Sequence, residues 1–133
     1  MKILLDTHII IWLLNGSSNI PSDIVSLIID QENEIYYSIV SILEIELKFN
    51  KSPDKILING SQTINMCKDA GYKELILNDS HILNLSAINT YNNVEHKDPF
   101  DKLLLSQAVV EKYLFLTHDK MFCNYKYDNI KMI

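Results

Sequence analysis

Acidic side chains recur in four short segments of this chain: Leu4-Leu5-Asp6-Thr7, Ser41-Ile42-Leu43-Glu44, Asp98-Pro99-Phe100-Asp101 and Leu116-Thr117-His118-Asp119. In the first and the last, an apolar run of the kind that fills a fully buried strand stops near an Asp, where an open α/β sheet presents groups to a ligand. Two carboxylates about 4 Å apart repel by roughly 4 kcal/mol at an effective dielectric of about 20. Acids that converge must therefore take up protons or hold a cation, and a divalent metal is the usual resolution.

Each acid also has a structural reading. Asp6 and Asp119 can cap the turn or helix that follows a strand. Glu44 sits between Leu43 and Ile45 on an apolar helix, either as a buried carboxylate or as an edge residue reaching water, while Glu46 and Lys48 suit a solvated face. Asp98-Pro99-Phe100-Asp101 is a strong helix start, with Asp98 as N-cap, Pro99 at N1 and Asp101 at N3 near the positive end of the dipole. That position is expected to keep Asp101 ionised, as a hard-metal ligand must be. His8 and His118 adjoin candidate acids and are expected to orient their loops by hydrogen bonds. Lys48, Lys51, Lys97, Lys102 and Lys120 lie near the acids in sequence, as ordinary surface lysines or as phosphate contacts.

The elements that position these residues alternate. Residues 2–5 read as a buried strand and 8–14 as a short helix ending at Asn15-Gly16. Ser22-Asp23 can cap a helix that carries Ile24, Val25, Leu27, Ile28 and Ile29 to about Asp30. A strand is expected over 34–37, followed by a helix capped by Ser38 that carries Glu44 and runs to about Asn50. A break at Ser52-Pro53-Asp54 precedes a helix over 61–70, closed by Gly71 as a left-handed residue. A third strand is expected over 72–77, and Asn78 or Asp79 caps a helix to about Asn89. Residues 90–97 form the longest polar connection, read as a surface loop. The helix opened at Asp98 reaches Lys112, the strand 113–116 follows, and a short helix and a final strand near 130–133 complete the series. Strands alternating with helices imply a parallel sheet covered on both faces.

Length and composition bound the rest. The chain has 133 residues, 47% hydrophobic and 22% charged, which suits one domain over 1–133 that buries about two thirds of its unfolded surface. The formal net charge is −5 and every basic residue is Lys, so nucleic-acid binding must depend on local lysines and bound metal, not on a basic field. Cys67 and Cys123 stand far apart and read as buried thiols, which leaves structural zinc and thioredoxin-like chemistry unsupported. Asp6 and His8 interrupt the apolar start, and the run from 9 to 14 is far shorter than the ~20 residues that cross a bilayer. A cytoplasmic protein with no membrane association is expected.

In this order and spacing, the motifs resemble those of PIN-domain ribonucleases, in particular the small VapC-like toxins of type II toxin–antitoxin pairs. The carriers are Leu4-Leu5-Asp6-Thr7-His8 with Trp12, the segment 38–45 with Glu44, His96-Lys97-Asp98-Pro99-Phe100-Asp101-Lys102 leading into 103–108, and Leu116-Thr117-His118-Asp119 before Phe122. The resemblance implies a three-layer α/β/α domain with a five-stranded parallel sheet whose first and fourth strands are central. It implies an acidic catalytic and metal site of Asp6, Glu44, Asp101 and Asp119, with Asp98 as an additional acid and with Thr117 and Lys102 on the substrate side. Implied cofactors are one or two Mg²⁺ or Mn²⁺ ions; implied partners are an RNA substrate, a cognate antitoxin and a second copy of the chain. The pattern departs at two positions, with Lys102 where this subgroup usually has Arg and Leu43 where Trp is common. Two other readings are a haloacid dehalogenase-like phosphatase with Asp6 as nucleophile, against which His8 stands at the position of that family's general acid, and a catalytically silent nucleic-acid- or protein-binding module of the same fold.

Overall fold

The apolar runs pair edge to edge into one sheet. In a computed structural model, which describes residues 1–88, 90 and 94–133, the strands are β1 (Lys2–Leu5), β2 (Glu34–Ser38), β3 (Lys73–Leu75), β4 (Leu114–Thr117) and β5 (Ile130–Met132). Their order is β3-β2-β1-β4-β5, and every pairing is parallel. The helices between them are α1 (Thr7–Leu14), α2 (Ser22–Ile29), α3 (Ile39–Lys51), α4 (Gly60–Asp69), α5 (Asp79–Leu83) and α6 (Pro99–Glu111), with 3₁₀ turns at Asn84–Ala87 and Lys120–Asn124. The fold is thus the expected α/β class, a five-stranded parallel sheet between helices.

Period-two alternation along the strands divides the core between the two faces. Ile3 and Leu5 pack with Ile9, Ile10, Ile24, Ile28 and Cys67 on one side, whereas Leu4 and Phe115 pack with Leu104, Leu105, Ala108 and Phe122 on the other. Because both faces are covered, the central strands carry continuous apolar sequence. Leu5 lies opposite Leu116 in the register of β1 and β4. The chain leaves β1 toward β2 on one side, while β4 lies on the other, so the C-terminal ends of β1 and β4 form a topological switch point.

Local signals account for most boundaries. Ser38 caps α3 through Val40 N at 3.0 Å, Asn59 and Gln62 form a capping box on α4, and Asn78 caps α5 through His81 N. Gly71, with φ 83°, follows the end of α4 as expected. Other boundaries differ. Pro21, not Ser22, occupies the N-cap of α2 and offers no side-chain bond. The third strand is only Lys73–Leu75, and the helix after Asn78 gives way to the 3₁₀ turn at Asn84. The expected helix end at Asn89 and positions 91–93 of the polar connection lie outside the described residues. The rest of that connection is not all surface loop: Thr90 makes an antiparallel bridge to Tyr125 and His96 is buried. Cys67 is buried but Cys123 is exposed. Glu46 is not simply solvated, because its Oε2 accepts the Gly60 N–H at 2.7 Å and so ties α3 to the start of α4.

α6 ends on Lys112, a non-glycine residue at φ 60°, ψ 39°, where a Cβ is disfavoured by about 1–2 kcal/mol. Lys112→Gly removes that strain at a smaller cost in unfolded-chain entropy, for a net gain of roughly 0.5–1 kcal/mol. Thermal unfolding should rise by about 2–4 °C; an unchanged or lower midpoint would show that the lysine is not strained.

Candidate active site

Asp6 follows β1 directly and its backbone N–H donates to Leu116 O at 2.9 Å, which extends the β1–β4 ladder by one step. That step brings Asp6 to Thr117 at the end of β4. The Thr117 hydroxyl donates to Asp6 Oδ2 at 2.5 Å and accepts the Asp119 N–H at 3.1 Å, so one side chain links the acids of both strands. Asp6 also caps α1, its Oδ1 accepting the Thr7 N–H at 2.7 Å. The capping and functional readings of Asp6 therefore coexist. Asp119 likewise caps the 3₁₀ turn that follows it, through Met121 N at 2.9 Å.

Two helices carry the other acids toward the same end of the sheet. Asp98 caps α6 by accepting from Phe100 N at 2.9 Å and Asp101 N at 3.4 Å, which places Asp101 on the first turn, facing inward and 8% exposed. Glu44 is 3% exposed on α3, so the reading in which it reaches water does not hold. Its Oε2 accepts from Lys48 Nζ at 2.7 Å, while its Oε1 is buried with no hydrogen-bond partner. An unsatisfied buried carboxylate oxygen costs roughly 1–3 kcal/mol or more. The helices are also tied to one another: Thr7 donates to Ser41 Oγ at 2.9 Å between α1 and α3, and Ser38 donates to Gln107 on α6 at 2.5 Å.

Electrostatics register the convergence. Burial pushes the Asp101 carboxyl up to about 8, and the charges of Asp6, Asp98, Asp119 and Glu44 add to the rise. The expectation that a first-turn position keeps Asp101 ionised is thus corrected: the helix dipole gives at most a kcal/mol or two, and desolvation among like charges outweighs it. Asp6 is also raised by burial, against the hydrogen bonds from Thr117 and Thr7, with Glu44 adding repulsion. Burial works to lower the Lys48 ammonium, but the hydrogen bond and charge of Glu44 leave it raised.

His96 is the residue that sequence reasoning missed. It is 5% exposed, its Nε2 lies 2.8 Å from Asp101 Oδ2, and its Nδ1 lies 2.8 Å from the Tyr125 hydroxyl. Burial lowers its pKa despite the nearby charges of Asp119 and Asp98. One ligand atom from each of His96, Asp101 and Asp119 fits within a mutual separation of 4.8 Å, a group that takes in two of the four expected acids and not Asp6 or Glu44. Ligands across a Mg²⁺ stand about 4 Å apart, so the span is close to that of a cation site. Carboxylate oxygens are the donors a hard divalent ion prefers, and the orphaned Glu44 Oε1 is the kind of atom such an ion would satisfy. The residues present fit a metal.

Basic side chains flank the acids on two sides. Thr7, His8, Lys48 and Lys55 contribute to a cleft of about 350 Å³; His8, His118, Asp119 and Lys120 line another of about 370 Å³. Lys102 shares a third cleft with His96 and Tyr125. His118 is held by Ile133 O at 2.8 Å and packs edge-on against Trp12, the orienting role expected of it.

The family model of the PIN domain matches residues 3–126 of this sequence. The chain belongs to the PIN-domain family. No curated protein is matched by sequence alone. Among solved structures the chain is similar to one in VapBC2 from Rickettsia felis bound to a promoter DNA fragment, with TM-score 0.70, 15% identity and 100% and 98% of the two chains covered. It is similar to one in DNA-bound VapBC from Salmonella typhimurium, with TM-score 0.69, 14% identity and coverage of 99% and 98%. A toxin–antitoxin complex from Klebsiella pneumoniae gives TM-score 0.62 at 17% identity, over 98% and 96%. At these identities the likeness is one of fold. PIN membership replaces the phosphatase alternative. No described helix is long and apolar enough to cross a membrane.

The raised carboxyls have a measurable consequence. Above pH ~4 the unfolded chain releases the Asp101 proton that the folded protein retains, so the stability from this group is full below that pH and is lost as pH rises through about 8. Asp6 is displaced in the same direction. In chelator-treated protein, the unfolding temperature of Asp101→Asn relative to the unsubstituted protein should therefore increase steadily from pH 5 to pH 8. A constant difference across that range would contradict the shift.

Proposed function

We propose that this PIN domain, acting as a single unit over the whole chain, is a Mg²⁺- or Mn²⁺-dependent endoribonuclease and the toxin of a toxin–antitoxin pair. The observation that carries the reading is the close group of Asp101 and Asp119 with His96, supported by a buried Glu44 oxygen without a partner and by burial that, with the charges of Asp6, Asp98, Asp119 and Glu44, raises Asp101 to about 8. Such a cluster is costly in the free protein and is relieved by a divalent cation. Family membership supports nuclease chemistry, and the fold shared with chains of toxin–antitoxin complexes supports the partner.

Asp6, Asp101 and Asp119 would hold the cation by carboxylate oxygens, and Glu44 Oε1 would complete the set directly or through water. Asp98 is kept as the cap of α6. When bound, the cation would supply positive charge at the scissile phosphate and lower the pKa of a water there. Thr117 holds Asp6 Oδ2 in one orientation and positions the Asp119 backbone, so the two strand acids are linked as one pair. Lys48 offsets part of the acid charge from one side through Glu44. Lys102 and the lysines of the flanking clefts would contact neighbouring phosphates, as point charges without the fork of an Arg. We further propose a cytoplasmic location, a homodimer and neutralisation by a small antitoxin. Ile11, Trp12, Leu13 and Leu14 remain only partly buried on α1 and supply apolar surface for such contacts.

Purified protein should cut RNA with Mg²⁺ or Mn²⁺ and stop in excess chelator, and folded Asp6→Asn should be inactive. Full activity under either condition would falsify the metal-nuclease reading. Asp98 and Asp101 should separate in the same assay. Asp98→Ser, which retains a capping oxygen, should keep most stability and measurable cleavage, whereas Asp101→Asn should lose most turnover while still folding. The reverse pattern would make Asp98 the ligand.

A further inference from the structure

Tyr125 joins the segment that carries Asp119 to the segment that leads into Asp101. It follows the 3₁₀ turn capped by Asp119, its backbone bridges to Thr90, and its hydroxyl reaches His96 Nδ1 at 2.8 Å. His96 passes the connection on, with Nε2 at 2.8 Å from Asp101 Oδ2. The imidazole is fixed on its faces as well as its edges: Phe122 lies edge-on with ring centroids 5.3 Å apart, and Tyr125 lies tilted at 5.6 Å. Phe122 and Tyr125 are 1% and 4% exposed, so none of these rings can swing into water without opening the core.

Both ring nitrogens are engaged. A neutral imidazole carries one N–H and one acceptor nitrogen. With Asp101 ionised, the Tyr125 O–H donates to Nδ1 and the N–H on Nε2 donates to the carboxylate. The nitrogen nearest the acids is then committed to Asp101 and has no lone pair for a cation. Metal-binding carboxylates are commonly held by such outer hydrogen bonds, and losing one lowers metal affinity by roughly 10–100-fold.

We infer that His96, oriented by the Tyr125 hydroxyl, is a positioning residue that holds the Asp101 carboxylate in register with Asp119 for cation binding. The inference rests on the cation site proposed above. It assigns to a histidine–tyrosine pair, 29 residues apart in sequence, the alignment of acids that arrive on two different elements.

Mn²⁺ binding, read from the EPR signal of the free ion, tests the role without requiring cleavage. Tyr125→Phe removes one oxygen and leaves the ring; it should weaken Mn²⁺ binding by roughly 10–100-fold in protein that still unfolds cooperatively. His96→Ala should do the same, and His96→Gln, whose amide can donate toward Asp101, should recover part of the loss. Pulsed EPR of the bound ion in the unsubstituted protein should show no directly coordinated nitrogen. Lowered unfolding temperatures with unchanged Mn²⁺ affinity would reduce the pair to a structural role, and a strongly coupled nitrogen would make His96 a ligand; either overturns the inference. If His96→Ala does not fold, Tyr125→Phe decides. Unsubstituted protein that binds no Mn²⁺ would overturn the cation site itself, and the positioning role with it.

Discussion

Buried carboxylates at one end of a parallel sheet repel one another, and the architecture around them is arranged to hold them there despite that cost. The sheet order places β1 beside β4, which brings the residue after one strand within a hydrogen bond of the last residue of the other. The helices then deliver Glu44 from α3 and Asp101 from α6. Burial, with the charges of these neighbours added, pushes the Asp101 carboxyl up to about 8. A charge cluster of this kind is poor for stability, because apolar packing at the same positions would cost less. Its position at the C-terminal ends of two central strands supports the site proposed above, since local rules give way where function requires it.

The devices that hold the acids are short polar bonds between elements. Thr117 joins β4 to Asp6, Thr7 joins α1 to α3 through Ser41, Ser38 joins β2 to α6 through Gln107, and Tyr125 reaches Asp101 through His96. Asp6, Thr7, Ser38 and Thr117 lie at or next to the end of a regular element, where the chain direction is already set by sheet and cap, whereas Gln107 sits inside α6 and His96 in the connection that precedes it. A carboxylate mounted this way has few orientations to lose when a cation arrives, which is what preorganisation requires. Each of the two strand acids also caps the element after it, so each serves the fold as well as the cluster.

Local chemistry made much of this legible. Strand runs bounded by Asp, the Ser38 cap, the Asp98-Pro99 helix start and Gly71 are written within a few residues, and the structure bears them out. What escaped depends on distance. His96 stands in a polar stretch that reads as surface loop, and its burial comes from Phe122 and Tyr125, which no periodicity links to it. The ionisation of Asp101 was misread for a related reason: its place in α6 is visible locally, but the acids that raise its pKa arrive from β1, α3 and the end of β4. Glu46 looks solvated on a helical wheel until α4 docks against it. Cys123 looks like a buried thiol until the 3₁₀ turn exposes it.

The central claim is that these acids form one cation site. Anomalous X-ray scattering from Mn²⁺-soaked crystals locates the ion without reference to activity. The account predicts a strong peak bounded by the carboxylates of Asp6, Asp101 and Asp119, with Glu44 Oε1 directed toward it. Crystals that show no peak there at saturating Mn²⁺, or ions only at exposed surface carboxylates, would contradict it.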